Sequence, residues 1–396
     1  MNIRFLAQSK FFNGIHVKED VILEKEFEVG KLNNLPKVRY FLYYLEENVR
    51  KEVMPHSEKI DIFKITDCQY ESDYIYFTEY DDEIGTEGYA LNIIKYNIVD
   101  HTSSKIISLK DNVELYPDRR EIKIFVLDDS NLIIQRALPK VSENGLCTGF
   151  FNYSLFLFNF AKNKQIMIND ENLVKNGIDF MIPYDEKSFI LKTGFTLFSN
   201  NMHELLNKHE AAVESIYLIN AQQFIGDLQL ENPNLVINAI DQSFYDTTMI
   251  DAKIENDYLI YSKYNFNERE ENLIFYDLNS KNVYTCVNKE ITNKSMIDKC
   301  VIIDDAPFIY RRNALGTQFI NVETNEEVIN YPLSYKIDYV NNNIVVASSK
   351  KSGLFVKDKP KVNIFKFPGK KPILDENGEY IGAVSSNTET SYIFLK

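Results

Sequence analysis

Short runs in which apolar and polar residues alternate recur along the whole chain, and many come in pairs joined by a tight polar turn. LNIIKYNIVDHTSSKIISL (91–109), LFLFNFAKNKQIMIN (155–169), NLIFYDLNSKNVYTCV (272–287), TQFINVETNEEVINYPL (317–333) and VNIFKFPGKKPILDENG (362–378) share one plan. Each reads as a strand, a turn rich in Asn, Thr, Lys or Gly, and a second strand, which is the pattern of a β-hairpin. Further alternating runs lie upstream of most hairpins: YIYFTEY, EIKIFVLDD, FMIPYDEKSFIL, YLIYSKY, KCVIIDDAPFIY, NIVVASS and YIGAVSS. The predicted unit is a small antiparallel sheet, written several times.

The repetition has a period. ITDCQYESDYIYFTEYD (65–81) returns as MIDAKIENDYLIYSKYN (249–265), with Asp67, Glu71, Asp73, Tyr74 and Tyr80 matched by Asp251, Glu255, Asp257, Tyr258 and Tyr264. Asp73 and Asp257 lie 184 residues apart, four intervals of 46, and Tyr276, Ile320 and Lys366 follow at spacings of 44 and 46. Four-stranded propeller blades occupy about 40–50 residues each. One such sheet cannot bury its apolar face alone, whereas stacking the sheets radially buries it and removes most exposed edges. A β-sandwich alternates in the same way but gives no reason for the period.

Over most of its length the chain therefore resembles the β-propeller architecture, and it matches no named family within it. The resemblance implies an all-β fold in a single domain, 1–396, with seven blades; six or eight also fit the spacing. Hairpins end near residues 109, 169, 206, 287, 333 and 376, and the tail EYIGAVSSNTETSYIFLK supplies two strands without a hairpin. The missing strands are expected from IRFLAQ and FFNGIHV, so that pairing of the two ends closes the last blade. Residues 207–234 break the β rhythm. Val213, Ile216, Tyr217, Asn220, Phe224 and Leu228 form a mostly apolar helical stripe, which predicts a helical insertion near 209–229.

Composition narrows the function. The 396 residues include 27 Phe and 25 Tyr but no Trp, and aromatics of this kind favour strands. The formal net charge of −14 repels phosphate backbones and so disfavours nucleic acid. The longest uncharged run, GLCTGFFNYSLFLFNFA (145–161), is polar at Asn152, Ser154 and Asn159 and falls short of the roughly 20 apolar residues a bilayer requires. With no secretory signal pattern and four scattered cysteines (Cys68, Cys147, Cys286, Cys300), the expectation is a bacterial cytoplasmic protein with reduced thiols.

Candidate chemistry is sparse. Gly145-Leu-Cys147-Thr-Gly149 has the form of a nucleophile elbow, but the aromatic run after it reads as strand, where an elbow needs a helix. His16, His56, His101, His203 and His209 have no metal-ligand spacing, and the acidic loop Glu79–Glu83 with Gly85 and Gly88 lacks the alternating ligands of a calcium loop. Asp128-Asp129 and Asp304-Asp305 fall where strands end. No phosphate-loop or dinucleotide motif is present, and neither WD40 nor kelch signatures occur. No metal or cofactor is expected. Arg119, Arg120, Arg311 and Arg312 form two pairs against an acidic background, and such guanidinium forks suit an anion. The leading expectation is a non-enzymatic binding or scaffold protein with a protein partner. The alternative is a hydrolase or lyase at the mouth of the propeller channel, acting on a small or glycan-like anionic substrate, with the Arg pairs holding the anion and carboxylates from inner-strand ends serving as acid and base.

Overall fold

The computed structural model describes residues 4–8, 15–18, 21–28, 37–44, 47, 49–53, 63–68, 73–81, 89–111, 121–141, 147–185, 187–194, 214–228, 239–243, 247–288, 296–341, 343–349, 361–370, 381–384 and 391–395. Strand β1 (Arg4–Gln8) is followed by sheet 1, made of β2 (Ile15–Lys18), β3 (Val21–Glu28), β4 (Lys37–Tyr44) and β5 (Val49–Glu52). Sheet 2 holds β6 (Phe63–Cys68), β7 (Tyr74–Asp81), β8 (Tyr89–Asn97) and β9 (Ser103–Asp111). In sheet 3 the strands are β10 (Glu121–Val126), β11 (Asn131–Val141), β12 (Cys147–Asn159) and β13 (Lys164–Met167). A short helix, α1 (Glu171–Asn176), leads into sheet 4, formed by β14 (Ile178–Pro183), β15 (Ser188–Thr193), β16 (Ser215–Asn220) and β17 (Ala239–Gln242). Helix α2 (Ala221–Leu228) joins the last two of these.

Sheet 5 is β18 (Thr247–Glu255), β19 (Tyr258–Asn265), β20 (Glu270–Asp277) and β21 (Val283–Asn288). Sheet 6 is β22 (Cys300–Ile303), β23 (Ala306–Arg312), β24 (Gly316–Asn321) and β25 (Glu327–Pro332). Three strands make sheet 7: β26 (Tyr335–Asn341), β27 (Ile344–Ser349) and β28 (Lys361–Lys366). In sheet 8, β29 (Ile381–Val384) pairs with β30 (Ser391–Leu395), and β30 pairs in turn with β1 (Arg4↔Leu395, Gln8↔Tyr392). The chain is all-β, with the consecutive antiparallel blades and terminal-strand closure of a β-propeller.

The packing explains the sequence pattern. Phe77, Ile133, Ile190, Ile260, Ile309 and Val346, each in the second strand of its sheet, are 0 % exposed. Their chain neighbours Tyr76, Leu132, Leu191, Leu259 and Val345 are at most 2 % exposed, so these strands are buried on both faces. Each such side chain contributes about 1.5–3 kcal/mol through burial. The chain divides into two compact units, 13–242 and 1–12 with 243–396. Within the first unit, Leu23 and Leu42 of sheet 1 pack with Phe77 and Ile94 of sheet 2. Tyr76 and Ile93 of sheet 2 meet Ile124 and Phe158 of sheet 3, and Phe125, Leu155 and Leu157 of sheet 3 join Phe189 and Leu191 of sheet 4 and Phe224 of helix α2. Within the second, Ile260 and Phe275 of sheet 5 pack on Ile302 and Ile309 of sheet 6, while Phe319 and Tyr331 of sheet 6 meet Val345 and Phe365 of sheet 7.

The repeated seventeen residues occupy equivalent places. Tyr74 and Tyr258 each open the second strand of a sheet, and each preceding first strand carries a bulge at the matched position, between Ile65 and Asp67 and between Met249 and Asp251. Similar bulges interrupt β2, β14 and β26. The described residues hold eight sheets, where the sequence spacing favours seven. The additional one is sheet 1: IRFLAQ completes the closing sheet, but IHVK opens a sheet of its own. Charged residues hid its strands, and Glu24 of VILEKEFE is accommodated at 1 % exposure by Arg50, whose Nε lies 2.6 Å from the carboxylate.

The predicted helix is half strand. SIYLIN (215–220) pairs with β15 from Thr193↔Ser215 to Ser188↔Asn220, because a run of β-branched and aromatic residues beside an open partner gains more as a strand. Only 221–228 is helical; the other residues of the predicted insertion, 207–213 and 229–234, lie outside the described residues or lead into β16. The Asn220 side chain accepts from the Gln223 amide at 3.1 Å and so caps the helix, and Phe224 packs edge-on against Phe189 at 5.7 Å.

Candidate functional site

The densest charged group among the described residues sits where sheets 3 and 4 meet. Ile178 pairs with Thr193 and Phe180 with Lys192, so Asp179 is the extra residue of a β-bulge in the first strand of sheet 4. A bulge re-aims the side chain it carries, and bulges concentrate beside reactive sites. Gln135 of β11 fixes this turn of backbone: its amide group accepts from Ile178 N at 2.6 Å and donates to Ile178 O at 2.8 Å.

Two lysines orient the two oxygens of Asp179. Lys192 Nζ lies 2.7 Å from Oδ2, and Lys123 Nζ lies 3.4 Å from Oδ1 and donates to the Asp179 carbonyl at 2.8 Å. Lys192 also reaches Glu214 Oε1 at 3.2 Å. Burial grades across the group: the side chains of Lys192 and Glu214 are 1 % and 5 % exposed, those of Asp179 and Lys123 23 % and 26 %. The inner pair thus supports an outer pair that solvent reaches. Gly194 lets Glu214 approach, since it has φ +88° and a Cβ there would stand 2.7 Å from Glu214 Cγ. An accessible carboxylate and ammonium, held on a buried second pair, can exchange a proton and meet a negative charge.

Of the four candidate arginines, two are described. Arg119 and Arg120 lie outside the described residues. Arg311 is half-buried and donates from Nη2 to Cys286 Sγ at 3.3 Å and to the Val287 carbonyl at 3.5 Å, whereas exposed Arg312 turns to the Leu333 carbonyl at 3.5 Å. Consecutive residues of a strand project to opposite faces, so these two do not form one fork.

The remaining sequence candidates resolve simply where they are described. Cys147 begins β12, so the Gly145–Gly149 motif runs into a strand rather than a helix. Cys286 and Cys300 are free thiols, and burial pushes the Cys300 thiol well above its ordinary range. Asp128-Asp129 and Asp304-Asp305 sit in hairpin turns, the latter with φ 48° and 60°. The acidic loop beyond Asp81, with His56, His203 and His209, lies outside the described residues, and among those described no His, Cys, Asp and Glu group could hold a metal. His101 stands in the turn after β8 with φ 60°, its Nε2 2.7 Å from Lys51 Nζ and its Nδ1 3.2 Å from the Tyr96 hydroxyl. Burial, then the Lys51 charge, lower its pKa from the ordinary value, against a smaller opposing pull from Asp100 and Glu47. No helix among the described residues is long and apolar enough to cross a membrane.

No protein-family profile and no curated protein matches the chain. Among solved structures it is similar to dipeptidyl peptidase 4 of Porphyromonas gingivalis, at 12 % identity and a TM-score of 0.48, over 92 % of this chain and 54 % of that one. It is similar to oligogalacturonate lyase of Vibrio parahaemolyticus, at 10 % identity and a TM-score of 0.45, over 92 % of this chain and 91 % of that one. A third likeness is to the β-propeller domain of the Trilobed protease of Pyrococcus furiosus, at 11 % identity and a TM-score of 0.42, over 95 % and 98 % of the two chains. The chain thus spans little more than half the length of the peptidase. Such neighbours include a peptidase and a lyase, and the expectation of a non-enzymatic binding or scaffold protein is corrected accordingly.

Proposed function

We propose that the chain is a hydrolase or lyase acting on a small or glycan-like anionic substrate where sheets 3 and 4 meet. Asp179 is the group that takes or returns a proton, and Lys123 meets the negative charge of the substrate. Lys192 and Glu214 are positioning residues that fix the Asp179 carboxylate from behind. One observation carries this reading: a bulge presents a solvent-reached carboxylate whose two oxygens are each oriented by a lysine, one of them almost wholly buried. The Lys123 ammonium is the cation of the group that solvent reaches, and there an incoming anion can meet it. The scattered cysteines, two of them free thiols, fit a reducing cytoplasm, and the reading invokes no cofactor.

The test is a turnover screen of the full chain against oligouronates, sulfated and phosphorylated sugars and anionic esters, repeated with Lys123→Ala. Turnover of one class, with KM raised about tenfold or more by Lys123→Ala and kcat little changed, is the expected result. Absence of turnover across the panel, or a KM indifferent to Lys123, refutes the assignment.

A further inference from the structure

Three aromatic rings surround the ammonium of Lys95 on β8. Its Nζ lies 3.7 Å from the ring centroid of Tyr74, 5.3 Å from that of Phe160 and 5.7 Å from that of Tyr76. Tyr76 is the cross-strand partner of Lys95, Tyr74 opens the same strand, and Phe160 comes from the turn after β12 of sheet 3. Three other half-buried or buried lysines among the described residues sit against carboxylates: Lys123 and Lys192 on Asp179 at 3.4 and 2.7 Å, and Lys253 on Glu255 at 2.7 Å. Lys95 makes no ion pair among the described residues, and its ammonium lies over ring faces.

The surroundings suit a cation. Exposed Asp128 and Asp129, in the turn between β10 and β11, place negative charge beside the rings, and Asp129 acts on Lys95. Asp128 is committed to its own turn, accepting from the amides of Ser130 and Asn131 at 2.7 and 2.8 Å, so the turn is held in place. Burial disfavours the charged form of Lys95 more than Asp129 favours it. A primary ammonium is strongly hydrated, and its four-carbon stem can return the head to water. A quaternary ammonium is weakly hydrated, and aromatic faces are its preferred partners.

We propose that Tyr74, Tyr76 and Phe160 form a binding cradle for a small organic ammonium ion of the quaternary class, with the Lys95 side chain as its resident competitor. Occupancy by Lys95 lowers the apparent affinity in proportion to the fraction of time it sits there. The ring geometry carries the inference: the cradle already holds a cation that belongs to the chain and makes no ion pair among the described residues.

The experiment titrates the full chain, Lys95→Ala and the double variant Lys95→Ala/Tyr74→Leu with tetramethylammonium chloride. Broadening of the ligand NMR signal is the readout, and sodium chloride at equal ionic strength is the control. Lys95→Ala is expected to bind at least about tenfold tighter than the unaltered chain, and the double variant to lose that gain. Lys95→Met, which keeps the apolar stem, replaces Lys95→Ala if the latter fails to fold, with the same expectation. Binding by the Lys95 variant no tighter than by the double variant, or no binding by either single variant, overturns the proposal and leaves the rings as a clamp on Lys95.

Discussion

Lys192→Met removes one ammonium from the interior and changes little else in volume. The ion pairs at 2.7 Å to Asp179 and 3.2 Å to Glu214 are lost. At the effective dielectric of protein sites, opposite charges about 4 Å apart attract by about 4 kcal/mol, and both pairs are closer than that. Withdrawing the ammonium from water costs several kcal/mol, so the complete group gives little net stability. The single variant is different, because two carboxylates then face each other across an apolar side chain, one of them only 5 % exposed. Breaking a buried pair on one side costs about 3–5 kcal/mol, which is the expected loss. Urea unfolding followed by far-ultraviolet circular dichroism measures it, with the slope compared between variants to confirm that the same surface is exposed. Adding Asp179→Asn and Glu214→Gln to Lys192→Met should restore most of the loss. A single-variant cost below about 1 kcal/mol, or no recovery in the triple variant, refutes the reasoning.

Phe319 is 0 % exposed and packs against Tyr310, Tyr331 and Phe367, so Phe319→Ala should cost about 3–5 kcal/mol by the same unfolding measurement. Gly194→Ala, at φ +88° and against Glu214, should cost about 1–3 kcal/mol and lower turnover by displacing Glu214. His101 has a pKa lowered in the folded state, so the folded chain binds fewer protons there than the unfolded one. Its contribution is therefore fully present above the unfolded value near 6.5 and is lost as pH falls through the lower folded value. His101→Asn, which tolerates the positive φ, should flatten that acid limb of a stability-against-pH curve; an unchanged limb counts against the Lys51–His101–Tyr96 contact.

The repeat was legible because it follows from packing. Second strands such as YIYF and YLIY are apolar on both sides and buried against neighbouring sheets of their own unit, and their seventeen-residue echo even preserves the bulge before Tyr74 and Tyr258. Sheet 1 was not legible, because VILEKEFE places Glu24 in a strand, and its partner there, Arg50, is distant in sequence. The helix near 221–228 was legible in its apolar stripe, but SIYLIN satisfies both periods, and pairing with β15 decides between them. The candidate site left one trace: Lys192 interrupts SFILKT, a strand otherwise free of charge and buried on both faces. Its partners Asp179, Glu214 and Lys123 come from other strands and loops, and no local spacing announces them. The arginine pairs drew attention by composition, which does not encode that Arg311 and Arg312 turn to different neighbours.

The central claim is that Asp179 handles the proton. The most direct measurement is kcat and KM of Asp179→Asn beside the unaltered chain, on whichever anionic substrate the chain turns over, with equal urea midpoints confirming that both are folded. A fall in kcat of about 100-fold or more at nearly unchanged KM is predicted. An unchanged kcat in a folded Asp179→Asn protein would contradict the account.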